Sequence, residues 1–543
     1  FLIAILILAA FLRLWNLGSV PPSISMDEAS IGYNAYSVLK IGVDEYGNFP
    51  LISQRGYDDW RRSTYLFLVA PFVALFDLQV ISIRLPAVIL SILTVWATYY
   101  ITLSLFSKRW ELSWKVALLA SLLLAISPWH IYISRLGHEA NAYLSFFILG
   151  LLCFLQAKKN TSRSWFAMLF FILSMISYYA GQVFLPVFGM GVAFIYRKSL
   201  MSKIVSDKKF RVFLIICVLV LIPVLWNLFS PAAMVRFRGT STFTPQAHMA
   251  QYSKRVELRN KAVENHDIVG TIVYNRHLYP FHVLFEGYIS HFNPKWLFAN
   301  SSAEPFKVPN MGLLYMWEFP FIIIGMLAFL LSRDVNARTK QLLFLWFFLA
   351  PLPASIATQA PHAMRSYLFL PTWQLFTAFG AVYAVSKLKK FKTVGVVVVA
   401  FFIVAGVMTF YKNYYTVFPK EQSSSFHYAL SKAIPYVLSK QNNFDKVIFS
   451  NEDNLYQSYM LFLYFSQYDP SLYQKQGGTK SGGFAEMHNI GTVEFRPIHW
   501  AKDQSLKNTL FLANPGEIPS NVLTLESFNY LDGKPGVVAF KNY

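Results

Sequence analysis

The stretch Ser25-Met26-Asp27-Glu28 follows the first apolar segment of the chain and predicts the start of a helix. A serine with a glutamate three residues later is the pattern of a capping box, in which each side chain satisfies a backbone amide at a helix N-terminus. The apolar residues beyond it have the spacing of one helical face: Ile31, Ala35, Val38 and Leu39. The run to Lys40 is too short and too polar to span a bilayer, so we expect this helix to lie along a membrane surface.

Asp27 falls in the first turn of the predicted helix, where the positive end of the helix dipole favours an ionised carboxylate. An ionised carboxylate beside a membrane is a candidate general base. An ordinary helix with a capping residue and an acidic first turn fits the same four residues. The stretch by itself leaves both interpretations open.

The composition predicts a polytopic membrane protein. Of the 543 residues, 55% are hydrophobic and only 14% are charged, whereas a soluble protein carries about a quarter charged residues. Both cysteines, Cys153 and Cys217, lie in apolar runs, which argues against a disulfide framework or a cysteine metal site. The net charge of +20 is concentrated in short connections between apolar runs, so we do not expect a nucleic-acid partner.

Apolar runs that could span a bilayer predict about eleven transmembrane helices. They fall at about 1–17, 82–106, 115–133, 141–157, 164–180, 182–196, 211–229, 319–332, 341–357, 366–386 and 393–412. With eleven helices, every short connection rich in lysine and arginine lies on one face, which the positive-inside rule assigns to the cytoplasm. We therefore expect a plasma-membrane protein with a cytoplasmic N-terminus and an extracytoplasmic C-terminal domain.

The predicted fold class is an all-α polytopic membrane protein with a C-terminal extracytoplasmic α/β domain. Residues 1–412 form the transmembrane module, which carries long outer loops at 18–81 and 230–318. The tail at 413–543 is less hydrophobic, and Asn454 to Phe465 within it has helical spacing. Three strand-like runs also occur in the tail: Lys446 to Phe449, Thr509 to Leu512 and Val537 to Phe540.

Four groups of ionisable residues, from four distant segments, fall at the predicted outer surface. They are Asp27-Glu28, Asp58-Asp59 with Arg61-Arg62, Arg135 with His138-Glu139, and His362 with Arg365. Each group also has an ordinary interpretation, as a headgroup anchor, a helix cap or a loop histidine. Ionisable residues near a membrane are costly unless they have a task, and their collection on one face favours a functional site.

These groups carry a resemblance to the GT-C superfamily of membrane glycosyltransferases, particularly its protein O-mannosyltransferases and the lipid A aminoarabinose transferase. The resembling stretches are Met26-Asp27-Glu28-Ala29 with Tyr33, Trp60 to Leu66, Ser134 to Asn141, and Pro361 to Arg365 with Leu370-Pro371. The resemblance covers roughly residues 1–410 and implies a GT-C fold. The chain departs from it at Arg61-Arg62-Ser63, where many relatives have Lys-Pro-Pro.

The resemblance implies inverting transfer of a sugar from a polyprenyl-phosphate carrier to a hydroxyl of a protein, glycan or lipid acceptor outside the membrane. It implies Asp27 as the catalytic base. A phosphate leaving group needs positive charge rather than a carboxylic acid, and guanidinium groups suit phosphate oxygens. The full set of candidate substrate-binding residues is Glu28, Tyr33, Asp58, Arg61, Arg62, Arg135, His138, Glu139, His362 and Arg365.

Two questions stay open at this point. A divalent metal ion held by Asp27, Glu28, Asp58, His138 or Glu139 could assist the leaving group instead, yet no spacing requires one. A transporter or flippase of lipid-linked sugars is the alternative function, for which we would expect charges at the bilayer midplane and two related halves. The ionisable residues lie at helix ends instead and no half-repeat is visible, which favours the enzyme. The sugar, the acceptor and the carrier length are left open.

Overall fold

A computed structural model of the chain describes residues 1–57, 59–106, 112–157, 162–226, 230–241, 245–275, 277–299, 306–483 and 487–542. The chain divides into two compact units. One, here called the helical unit, comprises Phe1–Ala10, Ser91–Ile133 and Ala140–Phe410. The other, here called the mixed unit, comprises Phe11–Leu90, Ser134–Glu139 and Tyr411–Tyr543. The mixed unit thus combines the first predicted loop with the tail, and the predicted division after residue 412 stays a prediction.

Most of the described chain is helical. Up to the end of the second long loop, the helices are α1 Leu2–Leu14, α2 Met26–Ile41, α3 Thr64–Phe76, α4 Val80–Leu105, α5 Ser113–Ile126, α6 Pro128–Ser134, α7 Glu139–Gln156, α8 Ser162–Ser177, α9 Tyr179–Ile195, α10 Arg197–Ser206, α11 Lys208–Trp226, α12 Pro231–Thr240, α13 Pro245–Glu264, α14 Ile268–Val273, α15 Tyr279–Ser290 and α16 Pro294–Phe298. They continue as α17 Glu318–Leu331, α18 Ala337–Leu349, α19 Leu352–Ser355, α20 Thr372–Lys387, α21 Lys392–Lys412, α22 Phe418–Glu421, α23 Tyr428–Lys440, α24 Ser458–Phe465, α25 Pro470–Lys475 and α26 Trp500–Asp503.

Several of these helices are suited to a membrane. Within the described residues, four are long and apolar enough to cross one: Val80–Leu105, Glu139–Gln156, Tyr367–Lys387 and Lys392–Glu421. The number rises to six if α5 with α6, and α9 with α10, each form one bent span, and α1, α3, α8 and α17 are shorter apolar helices. The expectation of a multi-pass membrane protein is confirmed, while the number of eleven spans stays a prediction.

A proline explains one bend that the hydrophobic pattern does not reveal. The predicted run at 115–133 is divided into α5 and α6, whose axes differ by 55°. Pro128 begins α6, and Ser127 before it has an extended conformation with ψ of 124°. Proline disfavours the helical conformation in the residue that precedes it, so the first helix ends there.

Two glycines allow α17 and α20 to meet backbone to backbone in the helical unit. A Cβ atom on Gly325 would overlap the carbonyl of Phe376, and one on Gly380 would overlap the carbonyl of Phe321. Small residues at such crossings are typical of membrane helix pairs, since close approach gains van der Waals contact that lipid cannot replace. This crossing therefore requires glycine at both positions.

The mixed unit contains a six-stranded sheet and a separate hairpin. The hairpin is formed by β1 Ser53–Gly56 and β2 Asp59–Arg62. The sheet strands are β3 Lys446–Phe449, β4 His488–Ile490, β5 Val493–Phe495, β6 Thr509–Ala513, β7 Leu523–Asn529 and β8 Pro535–Lys541. Their order is β4-β5-β3-β6-β8-β7, in which β3 is parallel to both β5 and β6 and the other pairs are antiparallel.

This sheet confirms the predicted tail in its main features. The three predicted strands correspond to β3, β6 and β8, and the predicted helix between them to α24. Strands β4 and β5 have only three residues each, too short to give a recognisable alternation. Most residues of β7 are exposed and polar residues interrupt it, so it lacks the apolar signal of a buried strand.

Helix α2 is enclosed within the mixed unit rather than lying with one face open. It packs against α3 and α24. Gly32 makes the close approach possible, because a Cβ atom there would meet the side chains of Ile83 and Tyr464. The short, polar α2 sequence, which predicts a surface helix, instead packs among other protein groups. Its polar residues Ser30, Asn34 and Ser37 are buried as well.

The crossing of α17 and α20 leads to a stability prediction. Gly380→Ala places a methyl group against the Phe321 carbonyl, and overpacking of this kind costs about 1–3 kcal/mol. Gly189→Ala in α9 is the matched control, because its new methyl group would meet open space. In thermal unfolding in detergent, the midpoint of Gly380→Ala should be lower than that of the wild type, and the midpoint of Gly189→Ala should not be lowered. Equal midpoints would contradict the tight crossing.

Candidate functional site

The predicted capping box is present at the start of α2. The Glu28 backbone N–H donates to Ser25 Oγ at 3.3 Å, and the Ser25 backbone N–H donates to Glu28 Oε2 at 3.0 Å. Ser25 also donates its hydroxyl to Glu28 Oε2 at 3.1 Å. The cap therefore fixes both the first turn of α2 and the direction of the Glu28 side chain.

Glu28 is a buried, fully engaged carboxylate. Its Oε1 accepts from Arg84 Nε at 2.8 Å and from the Gly137 backbone N–H at 2.9 Å, and its Oε2 accepts from Arg84 Nη2 at 3.1 Å. Burial alone would raise the pKa of Glu28, but the charge and hydrogen bonds of Arg84, with the N–H groups of Ser25 and Gly137, lower it overall. Both oxygens of the ionised Glu28 carboxylate thus accept hydrogen bonds that stabilise the fold.

Arg84 is a central residue that the sequence reasoning missed. Besides binding Glu28, it donates to the carbonyl oxygens of Leu17 at 2.9 Å, Pro21 at 3.2 Å and Ser23. It lies in an otherwise apolar run near the start of α4 and is completely buried. A lone arginine in such a run is costly without partners, and this was the signal that could have identified it.

Asp27 differs from its neighbour in being accessible. Its Oδ1 accepts from Arg61 Nη2 at 2.5 Å, while Arg61 Nη1 donates to the Asp27 carbonyl at 3.3 Å. The Asp27 side chain is 45% exposed and that of Arg61 only 9%. Burial would lower the pKa of Arg61, but the charges of Asp27 and Glu139 raise it overall. The guanidinium of Arg61 therefore contacts Asp27 from the protein side.

The β1–β2 hairpin positions Arg61. The register pairs Gln54 with Arg61 and Ser53 with Arg62, and Arg62 Nη1 donates to Ser53 Oγ at 3.0 Å. Tyr57 at the turn donates its hydroxyl to the Met26 carbonyl at 2.8 Å, and the Arg61 guanidinium lies 5.5 Å from its ring centroid. Arg61 and Arg62 of the departure from Lys-Pro-Pro thus lie in β2, and the Ser63 N–H just after it donates to the Ile52 carbonyl at 3.2 Å. A proline at Ser63 would remove this hydrogen bond.

The short segment Ser134–Glu139 of the mixed unit carries Arg135, His138 and Glu139. Arg135 is completely buried and donates to three backbone carbonyls at 2.7 to 3.1 Å, those of Leu12, Arg13 and Val20. His138 Nδ1 lies 3.6 Å from Glu139 Oε2, and Glu139 is the first residue of α7. Arg135 therefore directs its guanidinium to the protein backbone, whereas the charge of Glu139 helps to raise the pKa of Arg61.

The remaining predicted residues are placed as follows. Tyr33 is buried and donates to the Tyr468 carbonyl at 3.2 Å. In the helical unit, the His362 backbone N–H donates to His291 Nε2 at 3.1 Å, and Arg365 Nη1 donates to the Thr358 carbonyl at 2.7 Å. Asp58 lies outside the described residues.

No metal centre is formed by the described part of the chain, where groups of three or more His, Cys, Asp or Glu side chains with metal-binding geometry do not occur. Glu28 directs both oxygens to protein donors, and Asp27 is paired with Arg61. These carboxylates do not fit a divalent ion as they stand, and we derive no chemical step through one.

Glu45 is a second buried acid that the sequence reasoning missed. Its Oε1 accepts from Asn34 Nδ2 at 3.1 Å, and its Oε2 accepts from Thr479 Oγ1 at 2.8 Å and the Tyr459 hydroxyl at 3.3 Å. The Thr479 backbone N–H also donates to the Glu45 carbonyl at 3.0 Å. Burial raises the pKa of Glu45 to about 7. This residue joins α2 and the first loop to the tail, 434 positions away.

Known proteins are similar to this chain in part of its sequence and in its fold. A family model described as dolichyl-phosphate-mannose-protein mannosyltransferase matches residues 64–226. No curated protein matches the sequence. The structure of ArnT from Cupriavidus metallidurans is similar over 99% of this chain and 97% of its own, at 10% identity, with TM-scores of 0.52 in the apo state and 0.54 bound to undecaprenyl phosphate.

A second solved structure is the archaeal oligosaccharyltransferase AglB from Archaeoglobus fulgidus, in complex with an inhibitory peptide and a dolichol-phosphate. It is 13% identical and similar over 86% of this chain, with a TM-score of 0.47, and the chain spans 63% of its length. The likeness to ArnT over nearly the whole chain shows the fold. The chain has a GT-C fold, and the resemblance to the GT-C superfamily is confirmed.

The Glu28–Arg84 pair leads to a second stability prediction. Glu28→Gln leaves the Arg84 charge buried and uncompensated, which costs about 3–5 kcal/mol, so we expect little folded protein by size-exclusion chromatography and a lower unfolding midpoint. The double variant Glu28→Gln with Arg84→Met removes both charges and should recover part of this loss. A Glu28→Gln protein as stable as the wild type would contradict the assignment.

Glu45 predicts a pH dependence of stability. The carboxyl has an ordinary value of 4.5 when unfolded and about 7 when folded, so folding favours the protonated form and stability falls as pH rises from about 4.5 to about 7. The slope is at most about 1.4 kcal/mol per pH unit. The unfolding midpoint of the wild type should be lower at pH 7 than at pH 5, and Glu45→Gln should reduce that difference.

The groups that face Glu45 define the control for this experiment. They are Asp44, Arg61, Tyr33, Tyr57, Tyr459 and Tyr473. Asp44 is the neighbouring carboxyl of this group, and burial raises its pKa as well. Asp44→Asn should retain most of the pH dependence. Identical pH profiles for the wild type and Glu45→Gln would show that Glu45 does not cause it.

Proposed function

We propose that this chain is an inverting glycosyltransferase that moves a sugar from a polyprenyl-phosphate carrier to an acceptor hydroxyl, with Asp27 as the general base. The observation that carries the proposal is the Asp27–Arg61 pair, a half-exposed carboxylate at a helix N-terminus held by a buried guanidinium. The GT-C fold and the mannosyltransferase family match support the reaction class.

The chemistry follows from the accessible carboxylate. The acceptor oxygen attacks the anomeric carbon of the sugar while Asp27 takes the hydroxyl proton. The bond between that carbon and the carrier phosphate breaks, and its electron pair leaves with the phosphate oxygen. Attack opposite the leaving group inverts the anomeric centre. One carboxylate is enough, because phosphate leaves without prior protonation, unlike the leaving group of a typical glycosidase.

The neighbouring acid has a different role in this proposal. Glu28 is 1% exposed and both of its oxygens accept from protein donors, so we assign it to the support of α2 rather than to substrate. Arg61 likewise becomes a positioning residue, since it holds Asp27. Arg62 or, in the helical unit, Arg365 keeps the proposed role in binding the carrier phosphate, for which a guanidinium fork is well suited.

The proposal also includes location and partners. We place the reaction on the outer face of the plasma membrane, with the N-terminus in the cytoplasm and the sheet of the mixed unit outside. The donor is a polyprenyl-phosphate-linked sugar, and the acceptor is a protein, glycan or lipid hydroxyl. A transporter is not favoured, since Asp27 is accessible at the N-terminus of α2 and α2 is not among the helices suited to crossing a membrane.

The test is the loss of the base alone. Asp27→Asn keeps the size of the side chain, so the purified protein should still fold, with a lower unfolding midpoint because Arg61 loses its charge partner. The value of kcat for sugar transfer to a hydroxyl acceptor should fall by about a hundredfold or more. The matched control is Asp77→Asn in the same unit. Asp77 is exposed and asparagine matches its side chain in size, so this variant should retain activity. Near-normal turnover by Asp27→Asn would exclude Asp27 as the base.

A further inference from the structure

The helical unit contains a large apolar crevice, far in sequence from Asp27 and without a part in the proposed reaction. Its volume is about 980 Å³, and helices α8, α9 and α11 supply most of its walls. Phe171, Phe188 and Leu214 are representative lining residues. A space of this size, about 300–1,000 Å³ with apolar walls, is typical of a binding site for an organic ligand.

One end of the crevice carries a positive charge. Arg338, near the start of α18, lies at this end with its guanidinium 5.7 Å from the ring centroid of Tyr196. It is exposed and is the single charged residue that lines the crevice in the described part of the chain. Asn336 lines the same end, where its side chain accepts from the Thr339 backbone N–H and caps α18. An apolar body with one terminal cation matches an amphipathic ligand with an anionic headgroup.

We propose that this crevice binds a phospholipid of the surrounding bilayer, with its acyl chains between α8, α9 and α11 and its anionic headgroup at Arg338. Hydrocarbon is the expected occupant because an apolar space of this kind does not hold water stably. A guanidinium is the side chain best suited to phosphate oxygens. The neighbouring helix α10 adds cations to the same part of the chain, beginning with Arg197 and Lys198. The charge therefore commits the site to an anionic lipid rather than a neutral one.

The chain supplies its own reporter for this site. Cys217 lines the crevice and lies against Met168, whereas Cys153 does not line it. Both cysteines are partly buried. A lipid chain in the crevice would cover Cys217 and slow its alkylation by N-ethylmaleimide.

The chain also offers a position at which the crevice can be filled. Gly189 lines it, and a Cβ atom there would meet open space. Gly189→Phe therefore occupies the crevice without displacing neighbours next to the new Cβ atom. In this variant the alkylation rate of Cys217 should no longer respond to added lipid.

The experiment measures alkylation of Cys217 in the purified full-length Cys153→Ser protein, with phosphatidylglycerol or phosphatidylcholine added to the detergent. Phosphatidylglycerol should slow the reaction about tenfold at ten times its dissociation constant, and phosphatidylcholine should have much less effect. Arg338→Gln should remove the preference between the two lipids. Arg333→Gln, which changes an exposed arginine that does not line the crevice, should preserve it.

Several outcomes would overturn the proposal. Equal protection by the two lipids would show that Arg338 does not select a headgroup, and no protection would show that the crevice does not hold lipid. Protection by a polyprenyl phosphate but not by phosphatidylglycerol would assign the crevice to a carrier chain instead. Should Gly189→Phe fail to fold, native mass spectrometry can compare the phosphatidylglycerol that co-purifies with the wild type and with Arg338→Gln. The proposal expects less of this lipid on Arg338→Gln, and equal amounts would contradict it.

Discussion

The mixed unit depends on one buried ion pair, between Glu28 and Arg84. Two charges removed from water are costly, and such a pair is tolerated only where further hydrogen bonds satisfy the remaining donors and acceptors. Here Ser25 and the Gly137 amide donate the further hydrogen bonds that the Glu28 carboxylate accepts. Carbonyl groups of the 17–23 segment accept the further hydrogen bonds that the Arg84 guanidinium donates. The pair joins the start of α2 to α4 and to the 134–139 segment. The position of Asp27 follows from it.

Adjacent acids acquire opposite roles through this arrangement. Successive residues of a helix point about 100° apart, so fixing Glu28 inward turns Asp27 toward the surface. Asp27 then meets the hairpin and its Arg61, which approaches from the buried side. The Asp-Glu motif is therefore a unit in which one carboxylate supports and the other is available for chemistry. Exchanging the two residues would place the shorter side chain where it must reach Arg84.

The sequence could predict what depends on near neighbours and on composition. The Ser25–Glu28 cap spans three positions, and the strands β3, β6 and β8 show as compact apolar runs. Arg84 binds Glu28 across 56 positions and Glu45 binds Thr479 across 434, and no periodicity records such contacts. Arg135 illustrates the same limit, because whether a guanidinium meets a phosphate or three backbone carbonyls depends on distant segments.

The long-range contacts also change how the tail should be understood. The sequence suggests an independent domain, yet the structure places tail residues against the loop that carries Arg61. Gly482 approaches the backbone of Tyr57 so closely that a Cβ atom there would overlap it, and Tyr57 in turn holds the Met26 carbonyl and faces Arg61. Because the segment at Gly482 packs on the residue that supports the Asp27–Arg61 pair, an acceptor that reaches Asp27 approaches a surface to which the tail contributes. Under the proposed function, the chemistry of the loop and the acceptor recognition that we propose for the tail would thus belong to one compact unit.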